Sequence, residues 1–197
     1  MKHTVVIVVA SVLAFLVVGA HGAENEDLAR SMERTEASAF PRERLGELLD
    51  TVAKKSGRTF LVQAEVPSTV VVGQPRARDI TYSMLLKILR NNGLAAVTDG
   101  DVTSIIPVAK IRQYPLPLLF EDDDTLDSEE WVTRVISLEK ATATQMVPIM
   151  RPLLPQQGHL VANAQSNMVV IVDRHANVRR VVRIIAEMDS SSPARQD

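Results

Sequence analysis

Between Glu121 and Glu130 the chain places seven carboxylates and no basic side chain. A stretch of that composition cannot contribute to an apolar core, because every buried carboxylate would need a partner. A 197-residue chain interrupted in this way has room for two small modules rather than one continuous domain. The flanks fit that division. Residues 33–113 carry twelve basic and nine acidic side chains and residues 131–189 carry seven and four, a net +3 on each side. The acidic run has two readings: a solvated linker that its own charge keeps extended, or a strap that docks on a basic surface or caps a module.

The amino terminus reads as an export signal. Met1-Lys2-His3 is a basic tip, Val5 to Ala20 is an apolar run, and Ala20 and Gly22 place small residues at the two positions that matter for cleavage. Residues 1–22 are therefore expected to be a signal peptide cut after Gly22, delivering the protein to the periplasm. The alternative is an uncleaved inner-membrane anchor, for which the apolar run falls short of the roughly twenty residues a comfortable span needs. With no cysteine, the chain has no disulfide, thiolate metal site, cysteine nucleophile or lipid-modified cysteine. Aromatic content is 4%, so the core must rest on aliphatic side chains.

The first module is expected over residues 32–113. Leu45, Leu48, Leu49 and Val52 recur at helical spacing after Pro41, with Arg42, Glu43, Arg44 and Glu47 on the other face, and Gly57 follows as a stop. Thr59–Gln63 and Thr69–Gly73 read as strands, and Thr81 caps a second helix through Met84, Leu85, Ile88 and Leu89. Ala95–Thr98 and Val102–Pro107 flank Asp99-Gly100, a hairpin turn needing positive φ. A strand near Met32–Phe40 would complete a (β)αββαββ order. Small mixed sheets of this kind leave an edge open, and an open edge recruits a partner strand. The expected docking edge is Thr69, Val70, Val71, Val72 and Gly73, together with the Met32–Phe40 region.

The second module, residues 131–189, follows an acidic linker over 114–130. A strand over Val132–Leu138 leads to Thr142-Ala143-Thr144-Gln145, which has the form of a capping box, and to a helix carrying Met146, Val147, Ile149 and Met150. Strands over His159–Asn163 and Met168–Val172 flank a polar turn, and Asn177–Met188 forms a last helix with Val178, Val181, Val182 and Ile185 on one stripe. The fold class is α+β: two small α/β modules, the second a KH-like βαββα. Residues 190–197 are expected to be a disordered tail.

These patterns place no reaction chemistry. His159 and His175 stand apart with no metal-ligand cluster around them, and Ser166, Asn167 and Asp173 have the spacing of a turn and strand, not of a hydrolase. The acidic run lacks the glycine and terminal glutamate of an EF-hand. RNA-binding domains that share the βαββα order clamp the backbone with a Gly-x-x-Gly loop, which is missing, so nucleic acid is not an expected partner. No catalytic residue, metal or cofactor is expected. Arg174, Arg179, Arg180 and Arg183 form either a solvated helix face or a charged contact to a neighbouring copy or to residues 121–130.

The second module resembles the ring-forming domain of bacterial secretins. The resemblance is carried by Val132 to Leu138, Pro152-Leu153-Leu154, Gly158 to Ala162, Ser166-Asn167-Met168 through Asp173, and Ile184 to Asp189. The first module is similar to the short domain shared by secretins and the signalling ends of TonB-dependent receptors, through Leu48 to Ala53, Ser56-Gly57, Leu85 to Leu89, Gly93-Leu94 and Ile105-Ile106-Pro107. No strand-rich region able to form a barrel follows Met188, so the resemblance implies the docking part of a secretin rather than the pore. It implies a non-enzymatic component of a type II-like secretion or type IV pilus system. Its partners would be a secretin or inner-membrane platform protein, a secreted substrate, and weakly a second copy. A TonB-receptor-like signalling module and a remnant of a split secretin are the alternatives.

Overall fold

The computed structural model describes residues 41–73 and 79–193, which belong to one compact unit. Its elements follow the order β1 (Arg42–Arg44), α1 (Leu45–Ser56), β2 (Thr59–Val62), β3 (Thr69–Val71), α2 (Tyr82–Asn91), β4 (Leu94–Asp99) and β5 (Val102–Pro107). A 3-10 turn, Val108–Gln113, leads on to β6 (Leu118–Leu119), β7 (Trp131–Ser137), α3 (Ala143–Met150), β8 (His159–Asn163), β9 (Met168–Arg174) and α4 (His175–Ser191).

In the first module β1 pairs antiparallel with β3, and β2, β5 and β4 form a second sheet in that order. β2 runs parallel to β5, while β4 and β5 form the expected hairpin, turned by Gly100 at φ +57°. The leucines of α1 and α2 pack between these sheets with Val70, Val72, Ile80 and Ile105, all nearly inaccessible. The order matches the expectation, with one correction. Arg42, Glu43 and Arg44 do not lie on the first helix; they form β1, because pairing with Val71, Val70 and Thr69 takes precedence over helical spacing. The helix starts at Leu45, whose N–H reaches Ser68 O. The strand expected near Met32–Phe40 and the signal peptide lie outside the described residues.

The second module is a four-stranded sheet in the order β6–β7–β9–β8, with α3 and α4 on one face around Val132, Val169, Ile171, Val181 and Ile185. The βαββα order is present. Leu118–Leu119, inside the segment read as a linker, adds β6 parallel to β7. The capping box does not form. The Thr142 side chain makes no capping bond: the Gln145 N–H it would accept goes to the Thr142 carbonyl at 2.9 Å, and Asn167 Oδ1 accepts the Ala143 N–H at 2.9 Å.

Where the modules meet, Trp131 of β7 is buried against Ala95 and Val97 of β4, Ile106 of β5 and Ile111 of the 3-10 turn. β4 and β5 are thus covered on both faces, while Leu61 and Val62 of β2 stay exposed.

Candidate interaction site

The β3 edge is built from alternating contacts. Val70 and Val72 point into the core, and Thr69 and Gly73 are exposed. β3 turns the backbone of Val70 toward β1, so that of Thr69 and Val71 faces away. At Val71 the outward groups are occupied: Asn92 Oδ1 accepts its N–H at 2.8 Å and Asn92 Nδ2 donates to its carbonyl at 2.9 Å. Thr69 and Gly73 on β3, with Arg42 and Arg44 on β1, are the accessible part of this small sheet. The role of Asn92 as a side-chain bridge to β3 depends on tertiary placement and leaves no signal in the local sequence.

The four arginines fall into different settings. Arg174 contacts Glu129 (Nε to Oε2, 3.5 Å) and lies over the Trp131 ring at 4.9 Å. Arg179 reaches Asp124 at 3.0 Å and Asp122 at 4.0 Å. Arg180 donates to Leu153 O at 3.0 Å, and Arg183 is exposed on α4. Two of the four therefore meet the acidic segment. That segment also contacts the first module, since Arg90 Nη1 approaches both Glu129 oxygens at 3.2 and 3.3 Å. Tyr82 donates to Glu130 Oε1 at 3.0 Å, and burial together with the Glu130 charge pushes the phenol up to about 12, so it remains a donor at neutral pH. The first backbone N–H groups of α4, His175 and Ala176, bond to Glu130 O and Ser128 O. Residues 128–131 thus cap a helix of one module and hold a helix of the other. Burial and the facing Arg90 charge hold the Arg174 guanidinium below its ordinary value, while Asp173 and Glu129 oppose that shift.

The remaining polar candidates do not converge. His159 is exposed on β8, and His175 is buried at the start of α4. Asp173 is buried too, accepting from the Arg174 N–H and from Asn177 Nδ2, and burial raises its carboxyl above the usual value. Asp123 folds onto Thr125 of its own turn. Among the described residues no group of three acidic or histidine side chains is arranged to hold a metal ion.

Residues 40–105 match the family model of the GspD-like N0 domain, and residues 133–194 match that of the bacterial type II/III secretion system short domain. Both modules are secretin N-terminal domains. The chain is 28% identical over 145 residues to the secretin XcpQ of Pseudomonas aeruginosa, covering 73% of this chain and 21% of that protein. It is 26% identical over 179 residues to the secretin ExeD of Aeromonas hydrophila, covering 86% of this chain and 26% of that one. The chain spans about a quarter of the length of these curated relatives or less. In fold it is similar to a chain of the Klebsiella pneumoniae type II secretion system outer membrane complex of PulD, PulS and the PulC HR domain. There the TM-score is 0.63 at 22% identity, over 78% of this chain and 27% of that chain. Among the described residues, no helix of these secretin domains is long and apolar enough to cross a membrane.

Proposed function

We propose that this chain is a periplasmic, non-enzymatic docking component of a type II-like secretion or type IV pilus system. It engages an inner-membrane platform protein, a secretin or a secreted substrate through the β1–β3 sheet. The order of the two secretin domains, N0-like before ring-forming, carries this reading. It is supported by the similar fold of a chain in a complex of PulD, PulS and the PulC HR domain, and by the accessible positions Thr69 and Gly73 at the β3 edge. The second module packs beside its own copies only weakly, giving a monomer or weak oligomer at micromolar concentration. Export by residues 1–22 brings the chain to that compartment.

The test is crosslinking in cells with a photoreactive residue at Thr69. The expected result is a crosslink to a platform protein, a secretin or a secreted substrate; capture of none of these sinks the docking role. Thr69→Pro refines the assignment. Proline suits an extended edge position and removes one outward N–H, so it should abolish capture and leave the fold intact. If the variant still captures its partner, docking does not use this edge.

A further inference from the structure

We infer that the cleft between the two modules, lined by Arg90, Arg174 and Arg180, receives an acidic side chain from an extended segment of a protein partner. This surface is separate from the β3 edge and does not depend on it. The cleft encloses about 430 Å³ and collects guanidinium groups from three elements: α2, the end of β9, and α4. Among the described residues two carboxylates line the cleft, Glu129 and Asp173. Asp173 is already engaged by the Arg174 N–H and by Asn177.

Donor supply exceeds what the site consumes. Arg90 gives Glu129 only its Nη1, Arg174 gives only its Nε, and Arg180 uses Nη2 on Leu153 O. The other guanidinium nitrogens of all three make no hydrogen bond among the described residues. Three positive charges thus face at most two negative ones. Glu129 shows that a carboxylate fits between Arg90 and Arg174, and guanidinium forks favour a second one in bidentate geometry. The positive end of α4 adds to the attraction. Leu153 and Pro155 supply an apolar wall, which suits the stem of a peptide side chain better than a hydrated inorganic ion. Access is open, since the Arg90 side chain is 53% exposed.

The sole tryptophan, Trp131, lies under Arg174 and reports occupancy by fluorescence. The full chain is titrated with a capped hexaglutamate peptide, a hexaglutamine peptide and inorganic phosphate. The expected result is a saturable change with hexaglutamate alone. Arg180→Gln weakens it about tenfold with unchanged far-UV circular dichroism, as loss of one charge-assisted contact should. Arg112→Gln, exposed on the 3-10 turn away from the cleft, and Thr69→Pro leave it unaltered. Absence of saturation overturns the proposal, as does equal weakening by Arg112→Gln. An equal response to phosphate at the same concentration overturns the peptide assignment.

Discussion

Asn167 does more for the second module than any neighbouring side chain. It is the one described non-glycine residue with positive φ, at 49°. Its buried amide donates to Leu138 O and Ala141 O at 2.8 and 3.0 Å and accepts the Ala143 N–H. One residue thus turns the β8–β9 hairpin, caps α3 and ties down the loop before it. Asn167→Ala leaves those backbone groups unpaired and places a Cβ-bearing residue without local side-chain support in the left-handed region. It should cost about 3 kcal/mol in urea denaturation. Asn167→Gly relieves only the backbone part and should recover no more than about 1 kcal/mol of that. Asp189 plays a similar role from α4. Burial pushes its carboxyl up, but the Glu139, Ala141 and Lys140 N–H groups and the Lys140 charge outweigh this and hold it below 3.8. An acid depressed in the folded state stabilises fully above its unfolded value and loses that contribution as pH falls through the folded one. Asp189→Asn should therefore lower the denaturation midpoint at neutral pH, with the gap to wild type closing below pH 3.8; a gap independent of pH would refute the charge-based account.

At the scale of elements, α1 offers two glycines with opposite consequences. Gly57 ends the helix at φ +70° and returns its N–H to Ala53 O at 2.8 Å, while Gly46 sits inside the first turn. Neither would bring an added Cβ within 4 Å of a neighbour, so only backbone preference decides. Gly57→Ala should destabilise by about 1 kcal/mol and Gly46→Ala should stabilise by about 0.5–1 kcal/mol, both read from urea midpoints. These helices were legible because their apolar stripes and stops are local. Thr81 caps α2 as its position suggests, accepting the Met84 N–H at 3.3 Å. What was illegible depends on partners distant in sequence. Arg42–Arg44 carries no strand pattern and becomes β1 only because β3 is there to pair with it. Leu118–Leu119 is likewise too short to signal a strand, and joins β7 because Thr133 N–H finds Pro117 O. At the candidate sites, a contact between the α4 arginines and the acidic run was one of the expected readings, and Arg174 and Arg179 make it. The pairing of Arg90 with Glu129 was illegible, because it is set by the docking of one module on the other.

That docking makes the molecule more than two beads on a string. The cores of the two modules are separate clusters, and a third cluster around Trp131 bridges them. Trp131 pairs in its own sheet with Arg174, yet its ring packs on the second face of the β4–β5 hairpin, where it is 3% exposed. Glu129 and Glu130 then bind Arg90 and Tyr82 of the first module. Exposed ion pairs contribute little, but Glu129 is mostly buried and the ring removes a large apolar area from water, so the ring dominates the coupling. Small aliphatic modules gain most from such an interface, because neither buries much surface alone. The full chain should therefore unfold in one transition, with Trp131 fluorescence and far-UV circular dichroism changing at the same denaturant concentration. Trp131→Ala should cost about 3–5 kcal/mol of that shared stability. It should also split the transition, so that amide hydrogen exchange in α1 and α2 no longer follows that in α3 and α4. Glu129→Gln, which keeps the ring, should lower the midpoint slightly and leave a single transition. If Trp131→Ala still unfolds with one midpoint in both sets of helices, the modules are coupled by something other than this contact.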